Sequence, residues 1–197
     1  MATGRTSGLS TMQGHYWHAI LLGNVPLARR LQARAELDKR SLGGVLVGMF
    51  IVMVDWLRLD LYSPAEIRRF AERVARLTHA TLGVTEGEVS RLIDRELGET
   101  ADDDVRPVRH GTTELAVVIT AAGDLELKPG EIDRLISTAE GIARQWGIDL
   151  PVYRPGLIMR CRFEIAEGRW YGYPARRRWS AERMGAFVGW LRDDSTA

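Results

Sequence analysis

Arginines interleaved with aromatic rings mark one stretch, Arg169-Trp170-Tyr171-Gly172-Tyr173-Pro174-Ala175-Arg176-Arg177-Arg178-Trp179. Guanidinium groups neutralise phosphates and aromatic rings stack on bases, so this pattern suits contact with nucleic acid. Arg160 and Arg162 would add charge from the solvent face of the strand expected just before it. The plainer reading is an amphipathic strand edge with half-buried rings and solvated arginines. The chain favours arginine throughout, since Lys39 and Lys128 are its only lysines. Such a composition makes arginine clusters common by chance.

Other residues offer weaker chemistry. His15 and His18, three apart, would share one face of a helix and could ligate a metal. No third ligand lies near them in sequence, so they read as structural histidines and no metal site is assigned. Cys161 is the sole cysteine, which excludes an internal disulfide or a cysteine-rich metal site. It falls on the inward side of an alternating run, where a thiol behaves as a small apolar group. Asp55 and Asp60 follow a long apolar run and could serve as acid or base, although pairing with Arg58 or Arg68 is the simpler fate. No glycine-rich phosphate loop, G-x-S-x-G or H-E-x-x-H pattern occurs. Gly83, Val84, Val89 and Leu92 match the spacing of a helix-turn-helix. Yet His79 stands where that motif wants a small residue, and Glu86, Glu88, Asp94 and Glu96 outnumber Arg91 and Arg95 on the helix that would read DNA. Phosphate contact dominates DNA affinity, so a plain helical hairpin is the better reading.

The elements that must position these groups are organised around Leu42 to Trp56, LGGVLVGMFIVMVDW. The thirteen residues from Leu42 to Val54 carry no charge and are too few to span a bilayer, which needs about 20. The run is apolar on all sides, which predicts a helix buried all round, extending to about Tyr62. Gly43, Gly44 and Gly48 lower its helix propensity, and the expected compensation is close approach of a neighbouring helix. Before it, residues 1–13 read as a disordered start. A short helix is expected over His15 to Leu22, and another from Pro26 to about Lys39-Arg40. After it, Ser63-Pro64-Ala65-Glu66 and Thr85-Glu86-Gly87-Glu88 each announce a helix with a capping pattern. Residues 99–104, ETADDD, read as an acidic linker.

The second half is expected to change period. Leu115 to Thr120 is rich in β-branched residues and predicts a strand, with Gly123-Asp124 as a turn and Leu125 and Leu127 on the returning strand. Pro129 opens a helix whose inward stripe runs Ile132, Leu135, Ile136, Ala139, Ile142, Ala143 and Trp146, closed by Gly147. Alternation from Leu157 to Ile165 predicts a strand, Arg169 to Tyr173 its partner, and Ser180 caps a last helix. The expected fold is therefore α+β: a helical domain over 14–98 around the buried helix, a linker over 99–111, and over 112–193 a small antiparallel sheet with two covering helices.

Net charge is +1 and no apolar leader follows Met1, so global charge names no partner and the expected location is the cytoplasm. No cofactor is implied. The leading reading is a non-catalytic binding or adaptor protein acting through protein–protein contacts, with another protein or a second copy of this chain as partner. Its six tryptophans are natural interface anchors. The alternative is a nucleic-acid-binding accessory or regulatory protein using residues 169–179. An enzyme whose site is assembled from distant residues is the third.

Overall fold

Helices α1 (Met12–Leu21), α2 (Val25–Gln32), α3 (Lys39–Trp56), α4 (Pro64–Leu82), α5 (Glu86–Glu96), α6 (Thr112–Asp124) and α7 (Pro129–Gln145) follow one another along the chain. The computed structural model describes residues 9–33, 37–98 and 111–153. The expected capping chemistry starts two of these helices. The Ser63 backbone N–H donates to Glu66 at 2.8 Å, and that of Thr85 donates to Glu88 at 2.8 Å. Gly83 closes α4 with φ of 67°, a backbone that favours glycine.

Helix α3 begins at Asp38, whose carboxylate accepts from the Ser41 backbone N–H at 2.8 Å. Val45, Leu46, Met49, Phe50 and Met53 are buried along it. Its most extensive neighbour is α7. A Cβ added to Gly48 would stand 2.8 Å from the Ala139 carbonyl oxygen and 3.0 Å from its Cα, so the two backbones touch there. Gly44 faces the Ala143 methyl and Ile148, while nothing lies within 4 Å of a Cβ at Gly43. The expected close approach therefore exists at two of the three glycines.

The antiparallel sheet expected in the second half is not what the described residues form. They hold no strand, only an isolated bridge between Thr11 and Val152. Leu115 to Thr120 is the middle of α6, and every residue from Thr113 to Ala121 is buried. A segment buried all round shows no helical stripe, and its β-branched residues then mimic a strand. Gly123-Asp124 ends α6 rather than turning a hairpin, and Leu125 and Leu127 flank a left-handed residue, Glu126, with φ of 49°. Smaller corrections concern boundaries. Helix α2 stops at Gln32, and Lys39-Arg40 open α3 instead of closing α2. Helix α3 ends at Trp56, because Arg58 turns left-handed at φ of 54° before a short 3₁₀ turn over Leu59–Leu61. Leu9 and Met12, within the expected disordered start, are buried in the core. Trp146 is 48% exposed rather than inward. The strands expected over 157–173 and the helix after Ser180 lie outside the described residues.

The turns that follow α3 and α6 are built alike. Each holds a left-handed non-glycine residue, Arg58 or Glu126, then a proline at the first helical position, Pro64 or Pro129. In each, a glutamate three past the cap, Glu66 or Glu131, accepts from the cap N–H. Helix α3 packs on both α7 and α6, and α6 also packs on α4. An Arg73–Asp124 ion pair joins α4 to the end of α6. Helices on either side of residues 99–110 thus share one apolar core. Among the described residues, no helix is long and apolar enough to cross a membrane.

Candidate functional site: a cleft between α3 and α7

The α3–α7 contact brings the two similar turns to one place. The last turn of α3 supplies Asp55 and Trp56, and the chain reverses at Arg58 beside them. Leu125 and Leu127 come from the turn between α6 and α7, and Glu131 and Arg134 from the first two turns of α7. Together they line an open cleft of about 440 Å³, within the range of small-molecule and peptide side-chain sites. Of the two left-handed non-glycine residues among those described, Arg58 lines this cleft and Glu126 lies in sequence between its lining residues Leu125 and Leu127. Such backbone costs about 1–3 kcal/mol per residue and gathers at functional sites.

The charges in the cleft differ in how they are occupied. Arg58 Nε lies 3.5 Å from Asp60 Oδ1, so the pairing expected for this carboxylate is made with Arg58 and not Arg68. Both side chains are more than half exposed, and such a pair contributes little to stability. Glu131 accepts from the Lys128 backbone N–H at 2.7 Å and is committed to the start of α7. The Arg134 guanidinium lies over the Trp56 ring, 5.0 Å from its centroid, which holds it through a cation–π contact. Arg134 and Asp55 make no ion pair among the described residues, with each other or with any other group.

A second polar cluster lies in the seam between α1 and α7. His15 and His18 are buried on α1. His15 meets the Tyr153 ring edge-on with centroids 5.8 Å apart, and burial lowers its pKa to about 4. His18 Nε2 stands 3.4 Å from Asp133 Oδ1. Among the described residues, no three His, Cys, Asp or Glu side chains gather as a metal site. Sequence reasoning missed Glu140, which is 2% exposed. It accepts from the Thr11 hydroxyl at 2.5 Å and lies 3.6 Å from Arg144. Its carboxylate occupies the space a side chain at residue 14 would fill, so Gly14 makes its burial possible. Burial pushes its pKa up, against the Thr11 bond and Arg144. The readable signal was a glycine inside an apolar helix, together with a glutamate adjoining the inward Ala139.

The remaining sequence candidates divide in two. The α4–α5 pair is a hairpin whose apolar residues Val84, Val89 and Leu92 are buried, and His79 Nδ1 reaches the Val84 carbonyl at 3.2 Å across its turn. That bond gives His79 a structural role at the position where a small residue was wanted. Arg160, Cys161, Arg162, Arg169, Trp170, Tyr171, Tyr173, Arg176, Arg177, Arg178 and Trp179 lie outside the described residues. The chain matches no protein-family model, no curated protein and no solved structure.

Proposed function

We propose that the chain is a non-catalytic binding or adaptor protein that docks a partner protein at the α3–α7 cleft. The observation that carries this reading is the convergence of both left-handed turns on an open cleft walled by Trp56, Arg134 and Leu125. Tryptophan and arginine supply a disproportionate share of binding energy at protein interfaces. Leu125, 38% exposed at the rim, adds apolar surface for a partner to cover.

A photo-crosslinking amino acid, p-benzoylphenylalanine, placed at Leu125 tests the reading in the native host. Leu77, 54% exposed on α4 away from the cleft, takes the same label as control. A discrete protein adduct from position 125, absent from position 77, is expected. Identical adduct patterns from both positions would contradict it. Adducts to nucleic acid in place of protein would favour the alternative built on residues 160–179.

A further inference from the structure

We infer that the α3–α7 cleft recognises a partner segment in which an acidic and a basic side chain flank an apolar one. The inference rests on the docking reading and names the chemistry of its occupant. Two of the four charges in the cleft are already engaged, Arg58 by Asp60 and Glu131 by the Lys128 N–H. The other two, Arg134 and Asp55, are of opposite sign, line the same cleft and do not pair with each other. Stacking on Trp56 fixes the Arg134 guanidinium without using its planar donors, the state in which arginine binds a carboxylate in a bidentate manner. Asp55 is exposed and accepts a cation or an N–H. Leu125 and Leu127 line the same cleft and supply its aliphatic surface. A segment with charge of only one sign would satisfy one pole and face repulsion at the other.

The test uses the full chain and four fluorescein-labelled peptides, blocked at both ends, with the cores Glu-Leu-Lys, Gln-Leu-Lys, Glu-Leu-Gln and Glu-Ala-Lys. Each is titrated by fluorescence anisotropy against the unmodified protein and against Arg134→Gln, Asp55→Asn and Leu125→Asp. Replacing the peptide's glutamate should weaken binding to the unmodified protein about tenfold, the scale of one charge-assisted hydrogen bond. The same replacement should have no effect on Arg134→Gln. The peptide's lysine should likewise matter to the unmodified protein but not to Asp55→Asn. Because each comparison is made within one protein, a general effect of the substitution on folding cancels. Binding that needs Leu125 and the peptide's leucine but ignores both charges would overturn this inference and leave the docking reading standing. Failure of all four peptides to bind in a Leu125-dependent way would overturn both.

Discussion

His15 and Glu140 sit in the same seam with opposite linkage to pH. The folded pKa of His15 is lowered to about 4 from an ordinary 6.5. Between those values the unfolded chain binds the proton that the folded chain refuses. The stability His15 contributes is therefore complete above about pH 6.5 and lost as pH falls toward 4, to a limit of about 3 kcal/mol. Glu140 is raised, so its contribution is complete below the ordinary carboxylate range and declines as pH rises through the raised folded value. Urea denaturation of His15→Phe should show a flatter loss of stability between pH 6.5 and 4 than the unmodified chain. Glu140→Gln should gain more stability at pH 8 than at pH 5, because it removes a charge that burial disfavours. Unchanged slopes in both variants would mean that neither group titrates differently on folding. The sequence displayed His15 as a histidine on an apolar face, but its depth, and Glu140's, depend on Tyr153 and Thr11, which only the fold brings beside them.

At the scale of the element, the glycines of α3 give predictions of opposite sign. Gly48→Ala puts a methyl against the α7 backbone and should cost about 1–3 kcal/mol. Gly43→Ala meets nothing within 4 Å and should gain up to about 1 kcal/mol from helix propensity. Phe50, 2% exposed, should cost about 3–5 kcal/mol on truncation to alanine. Ile51, only partly buried, should cost clearly less under chemical denaturation. Elements were legible where local chemistry punctuates the chain, as with Ser63-Pro64, Thr85, Gly83 and Gly147. They were misread where tertiary burial overrides it. Helix α6 is enclosed on all sides, so Val117, Val118 and Ile119 showed β-branched character without a periodic face to correct it. The cleft was less legible still: Trp56 and Arg134 are far apart in sequence and meet only because Gly44 and Gly48 let α7 lie against α3.

For the whole molecule, the packing of α3 on α7 and α6, and of α4 on α6, ties together the helices on either side of residues 99–110. Cleavage at a protease site inserted between Asp102 and Asp103 should leave two fragments that co-elute under native conditions and melt as one unit. Separation into independently folded fragments would show that this shared core contributes little.

Two exposed leucines distinguish docking at the cleft from binding elsewhere on the surface. The partner captured through position 125 is produced recombinantly, and its affinity is measured by titration calorimetry. Leu125→Asp should weaken binding at least tenfold, about 1.4 kcal/mol, while Leu77→Asp, equally disruptive in chemistry but off the cleft, should leave it unchanged. Equal affinities for Leu125→Asp and the unmodified chain would contradict the account.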